Sequence, residues 1–104
     1  MAIMTTSTRT QGVAYARIGA ATIVTRYRAG DLDQPTHDLV DRYREVVMAM
    51  GDASKPIIDD AVRVAIEKWA EALSEQDEDT EAHWMQAASS MLAGYLLGAG
   101  QAVL

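Results

Sequence analysis

The C-terminal stretch Trp84–Leu104, WMQAASSMLAGYLLGAGQAVL, decides how this chain must fold. Its 21 residues include no Asp, Glu, Lys, Arg or His, whereas the rest of the 104-residue chain is charged every few residues. Two apolar stripes recur along it at helical spacing, one of Trp84, Ala88, Met91 and Tyr95 and one of Met85, Leu92, Leu96 and Ala99. A helix with two such stripes is apolar nearly all round, so we expect it to be buried on more than one side.

Three arrangements would bury this helix. It could be the centre of a monomer, wrapped by the other helices, or it could span a bilayer, which needs about 20 apolar residues. The sequence favours a third arrangement, in which one stripe packs on its own domain and the other on a second copy, forming a two-fold homodimer. Small residues around the Gly94–Gly98 pair would let two backbones approach closely. The predicted self-association residues are Met91, Leu92, Tyr95, Leu96 and Gly98.

Two helices are predicted in the first half of the chain. The first spans Gln11–Ala29 and stops at Gly30, because a glycine just past a helix adopts the left-handed conformation readily. The second spans His37–Met50, with Thr36 as its N-cap and Gly51 at its end. The apolar stripe of the first helix consists of Val13, Ala16, Ala20, Val24 and Tyr27, widened by Ile23, with Tyr15 and Ile18 off to one side. The stripe of the second helix consists of Leu39, Tyr43, Val46 and Met50, with Val40 and Val47 beside it.

The second half of the chain contains two further predicted helices. Asp52 or Ser54 caps the third helix, and the acidic turn Glu75–Glu81 separates it from the fourth, which Asp79 or Thr80 caps. The core face of the third helix consists of Ile58, Val62, Ala65, Ile66, Trp69 and Leu73. The sequence therefore predicts an all-α fold, a small four-helix bundle-like domain.

Length and charge limit the organisation of the chain. Residues 1–10 are polar and predict a flexible N-terminal arm before a single helical domain over residues 11–104. The net charge of −6 is uneven, because residues 1–50 carry six arginines against five acids and residues 51–104 carry three basic residues against ten acids. This asymmetry argues against a general nucleic-acid coat.

No secretory signal is recognised, which makes the cytoplasm the expected location. An arginine-rich, lysine-poor composition favours a bacterial or phage genome.

Little in the sequence supports catalysis or metal binding. The absence of cysteine excludes disulfides, cysteine-based zinc sites and thiol catalysis. The two histidines each have one aspartate at helical spacing, His37 with Asp41 and His83 with Asp79, but no HExxH or Glu-x-x-His motif accompanies them. We therefore expect no enzyme, no cofactor and no metal.

The sequence favours a non-enzymatic interaction or assembly module, such as a small adaptor. The alternative is a small DNA-binding regulator, because phosphate contacts require several cations. The candidate nucleic-acid contacts are Arg9, Arg17, Arg26 and Arg28. Against that alternative, the paired acids Asp59 and Asp60 begin the helix that would have to enter the DNA groove.

Overall fold

A computed structural model of the chain describes residues 6–100 and confirms the predicted all-α class, since no strand occurs within that range. The elements are α1 (Thr6–Arg28), α2 (Gln34–Met50), a 3-10 turn (Gly51–Ala53), α3 (Ser54–Ser74) and α4 (Glu78–Ala99). Helix α4 packs against each of the other three, whereas α1, α2 and α3 contact one another much less. The last helix is therefore the central one of the described elements.

Small residues allow α4 to have three neighbours. Its buried positions are Ala88, Ser89, Ser90, Ala93 and Gly94. On the α1 side, Gly19 lies directly against Ser89, with no room for a side chain between them. The larger residues of α4, among them Trp84 and Leu92, lie to either side of this small-residue line and remain half-buried. Close backbone approach, rather than one stripe of large side chains, brings the helices together.

Two clusters of buried residues form the core. The first joins all four helices and consists of Ala16, Val47, Ile58, Val62, Ala65, Ile66, Trp69, Ala70 and Ala88. The second joins α1, α2 and α4 and consists of Ala20, Ile23, Val24, Val40 and Ala93. Most of the predicted stripe of α3 is confirmed by this burial. Leu73 and Met50 were expected in the core but are 43% and 44% exposed, because each lies in the last turn of its helix.

The N-caps of α2 and α4 differ from the predicted ones. Asp33 caps α2, and its carboxylate accepts hydrogen bonds from the backbone N–H and the hydroxyl of Thr36. Asp77 caps α4 and accepts the same two bonds from Thr80. The predicted caps were wrong because each predicted threonine is the third residue of its helix. The carboxylate three residues before each threonine accepts a hydrogen bond from the threonine's free backbone N–H group.

The ends of α1 and α3 also differ from expectation. Helix α1 begins at Thr6 rather than Gln11, so the second half of the predicted arm is helical, while residues 1–5 lie outside the described range. The predicted stop at Gly30 is confirmed, since Gly30 has a φ of +70°. Helix α3 follows the 3-10 turn directly and has no side-chain cap, so the predicted caps Asp52 and Ser54 were wrong. The buried Ser54 hydroxyl instead donates to the Gly51 carbonyl at 2.6 Å.

Candidate interaction surface

The outward side of α1 is uncharged from Gln11 to Thr25. Its residues lie at spacings of three and four, which places them on one side of a helix. They are Gln11, Ala14, Ile18, Thr22 and Thr25, all exposed, with the exposed Tyr15 beside them. We call this set the α1 outer face. Tyr15 is 52% exposed and Ile18 is 66% exposed. Ile18 is the most exposed of the large hydrophobic residues in the described range.

Intrahelical hydrogen bonds make this face more apolar than its composition indicates. The Thr22 hydroxyl donates to the carbonyl of Ile18 at 3.3 Å, and the Thr25 hydroxyl donates to the carbonyl of Ala21 at 3.1 Å. A threonine that bonds back to its own helix satisfies its hydroxyl there, so that hydroxyl needs no partner outside the helix. The ring of Tyr15 packs edge-on against Trp69 of α3, with centroids 6.1 Å apart, which holds it in place.

The four arginines of α1 do not share one side of the helix. All are exposed, and α1 contains no acidic residue. Arg17 and Arg28 are eleven positions apart, about three full turns, and so lie on the same edge. Arg26 is nine positions from Arg17, about two and a half turns, which places it on the other side of α1. The Arg26 side chain donates to the Asp31 carbonyl at 3.1 Å and lies 3.7 Å from the Asp31 carboxylate.

A groove of about 230 Å³ lies between α1 and α3, with α4 beneath it. Its apolar lining consists of Val13, Val62, Ile66 and Leu92, and its charged rim consists of Arg9, Arg17, Asp59 and Arg63. The lining combines residues of three helices, so the groove depends on the tertiary fold. We call it the α1–α3 groove.

The charges on the two rims of this groove are not equivalent. On α3, Arg63 is held 2.7 Å from both Asp60 and Glu67, and these carboxylates raise its pKa. Asp59 is likewise paired with Lys55 at 2.9 Å. On α1, neither Arg9 nor Arg17 has a carboxylate within ion-pair distance among residues 6–100. Within the described part of the chain, the charges of the α1 rim are therefore the ones without a paired carboxylate.

The predicted self-association residues of α4 pack against other helices of the same chain. Met91, Leu92, Tyr95, Leu96 and Gly98 are all half-buried. The four larger side chains pack against the two core clusters. Gly98 lies against α2, where an added methyl group would stand 2.8 Å from the carbonyl oxygen of Arg44. All five residues thus have contacts within the chain.

The histidine–aspartate pairs do not assemble a metal site. His37 Nδ1 lies 3.2 Å from an Asp41 carboxylate oxygen, and the ring of His37 stacks on Tyr27. The Tyr27 hydroxyl donates to Asp41 at 2.5 Å, and this bond, together with burial, raises the pKa of Tyr27. Among residues 6–100, His83 makes a ring contact with Trp84 and no ion pair with Asp79. Within residues 6–100, no three histidine, cysteine or carboxylate side chains are grouped to hold a metal ion.

Part of this surface was visible in the sequence. The sequence placed Tyr15 and Ile18 off to one side of the apolar stripe of α1, and the structure shows both side chains exposed. The role of the two threonines and the α1–α3 groove were missed. Intrahelical hydroxyl bonds and the contact between α1 and α3 leave no periodic signal in sequence.

The chain matches no protein-family model, no curated protein and no solved structure. None of the helices within residues 6–100 combines the length and the hydropathy needed to cross a bilayer.

Proposed function

We propose that this chain is a non-enzymatic protein–protein interaction module that forms a homodimer through the α1 outer face. The four helices act as a bundle-like scaffold, with a last helix that is apolar nearly all round, and this scaffold holds α1 at the surface. The observation that supports the proposal is the uncharged outer face of α1 with Ile18 two-thirds exposed at its centre.

A second copy is the occupant that suits this face. A two-fold contact sets each surface against itself, so a charged face would repel its own copy, whereas an uncharged face does not. The residues beside Ile18 are a small alanine and threonines whose hydroxyls are bonded within α1, which lets two α1 helices approach. Burying Ile18 fully would contribute roughly 1.5–3 kcal/mol per copy. The loss of translational and rotational freedom opposes association, so we expect a weak dimer that depends on concentration.

Dimerisation through α4 is the alternative arrangement. It uses Met91, Leu92, Tyr95, Leu96 and Gly98, and it would require neighbouring helices to move away from α4. The half-buried state of these residues favours α1 as the contact surface, because a dimer through α1 needs no rearrangement of the core.

Light scattering coupled to size-exclusion chromatography tests the proposal. The wild-type chain should show a mass that rises toward that of a dimer with concentration, and Ile18→Glu should remain monomeric with an unchanged thermal midpoint. Val64→Glu is the matched control, because Val64 is an exposed aliphatic residue on α3, and it should dimerise like the wild type. A wild-type monomer at all concentrations would refute self-association. A dimer that survives Ile18→Glu but dissociates in Leu96→Glu would assign the contact to α4.

The second candidate function is a small DNA-binding regulator. The absence of any acid from α1, together with its four arginines, favours it. Arg17 and Arg28 share an edge, so replacing both with alanine should weaken DNA binding, whereas Arg26→Ala should have little effect. Equal binding by these variants and the wild type would remove α1 from consideration as a DNA-binding element.

A further inference from the structure

We propose that the α1–α3 groove binds an acidic amphipathic helix of a partner protein. That helix would carry an apolar side chain at position i+4 and a carboxylate about one turn to each side of it, at positions i and i+8. The groove and the α1 outer face lie on different sides of α1, so this partner site is separate from the proposed dimer contact.

The lining of the groove selects an apolar side chain. Val62 and Ile66 are buried residues of α3, while Val13 and Leu92 are half-buried residues that remain accessible along the groove. The volume of about 230 Å³ is below the roughly 300–1,000 Å³ typical of sites for small molecules. Such a groove suits one or two side chains from a larger partner rather than an enclosed ligand.

The charges on the rim select carboxylates. Arg63 and Asp59 on α3 are already paired with neighbours on their own helix, at 2.7 and 2.9 Å. Arg9 and Arg17 have no such partner among the described residues, and the charge of Arg17 repels that of Lys55, whose pKa is nevertheless raised, mainly by its hydrogen bond with Asp59. A partner that brings negative charge to α1 would relieve this repulsion and form charge-assisted hydrogen bonds with the guanidinium groups.

The spacing of the arginines indicates a helical partner. Arg9, Val13 and Arg17 follow one another at intervals of four residues, which sets the two arginines about 12 Å apart along α1 with an apolar residue between them. A second helix has the same rise per residue. Carboxylates at its positions i and i+8 would therefore meet both arginines while its residue i+4 enters the groove.

A designed peptide tests this inference. The probe is a fluorescein-labelled helix of about 16 residues, with Glu at i and i+8 and Leu at i+4 in an alanine–glutamine background. Fluorescence anisotropy with the full chain should show saturable binding that weakens with added salt. The double variant Arg9→Ala/Arg17→Ala should raise the Kd about tenfold or more. Arg26→Ala/Arg28→Ala removes the same charge from α1 outside the groove, and it should bind like the wild type.

Each alternative result is informative. A peptide in which Gln replaces both Glu residues should bind as weakly as the groove variant. Absence of saturable binding, or equal Kd values for the two double variants, would overturn the proposal. Binding of a single-stranded oligonucleotide without binding of the peptide would also overturn it and assign the arginines to nucleic acid. The Ile18→Glu monomer should retain peptide binding, which separates failure of the dimer from failure of this site.

Discussion

Gly94 of α4 lies so close to Val40 of α2 that a methyl group at position 94 would stand 2.8 Å from the Val40 carbonyl oxygen. One turn later, Gly98 has the same relationship to the backbone of α2. The Gly94–Gly98 pair thus brings two helices of one chain together. The sequence had suggested that it could join two copies instead. This contact covers α4 on its α2 side, whereas Ile18 of α1 is 66% exposed.

Gly94→Ala should destabilise the fold. Helix propensity alone favours alanine over glycine by about 1 kcal/mol. Without a steric clash at position 94, the alanine variant would therefore be more stable than the wild type. The added methyl group would instead stand 2.6 Å from Tyr43 Cβ and close to rigid backbone atoms. We expect a net loss of roughly 1–3 kcal/mol in the free energy of unfolding, measured by urea denaturation. A stability equal to or above that of the wild type would contradict the close packing of α2 and α4.

The two aspartate caps should make stability depend on pH in the acidic range. Hydrogen bonds from the hydroxyl and then the backbone N–H of Thr36 hold the pKa of Asp33 below 3.8, and Thr80 does the same for Asp77. A lowered pKa means that the stabilisation is present above pH 3.8 and is lost as the pH falls through the folded-state pKa.

Thermal melts of Asp33→Ala and Asp77→Ala test these caps. Each variant should melt below the wild type at pH 7, and the difference should shrink as the pH drops below 3.8. Glu45→Ala, an exposed acid within α2, provides the control and should melt like the wild type at both pH values. A difference that stays constant with pH would show that the carboxylates do not cap the helices.

The Tyr27–Asp41 hydrogen bond should stabilise the junction of α1 and α2 up to alkaline pH. The bond raises the pKa of Tyr27 above 10.0, so its contribution is fully present below pH 10.0 and is lost as the pH rises through the folded-state value. Tyr27→Phe should cost about 1–3 kcal/mol at pH 7, measured by urea denaturation. Tyr43→Phe is the control, because the Tyr43 hydroxyl has no hydrogen bond among the described residues. Equal losses in the two variants would contradict this role of Asp41.

Substitutions at Thr22 should distinguish the effect of side-chain shape on the dimer dissociation constant from the effect of charge. Because the Thr22 hydroxyl is bonded to its own helix, Thr22→Val should preserve the surface and leave the dimer dissociation constant the same or lower. Thr22→Asp should raise that constant by placing a charge in the contact. Sedimentation equilibrium gives both values. Identical constants for the valine and aspartate variants would exclude Thr22 from the interface.

The class of the fold and most of the core follow from residue spacing. The stripes at three- and four-residue intervals located Ala16, Ala20 and Val24 of α1, as well as Ile58 and Ile66 of α3, and all five are buried. Hydrophobic periodicity succeeds for these residues because each faces a neighbouring helix across one side of its own.

Other features depend on information that periodicity does not contain. The N-cap of α2 was misplaced because the prediction rested on Thr36 and overlooked the aspartate three positions before it, and the extended backbone of Asp33 is what identifies it as the cap. The sequence also left open whether α4 is covered by its own chain or by another. Glycines that reduce helix propensity, such as Gly19 and Gly94, are the residues at which neighbouring helices approach. Their effect becomes evident only once the helices are packed.

Disulfide cross-linking at position 18 tests the central claim most directly. The chain has no cysteine, so Ile18→Cys introduces a single thiol at the centre of the α1 outer face, and Val64→Cys places one on α3 as a control. Under mild oxidation at a concentration where light scattering detects the dimer, Ile18→Cys should yield a covalent dimer rapidly and Val64→Cys should not. Equal, slow cross-linking of the two variants would contradict self-association through α1.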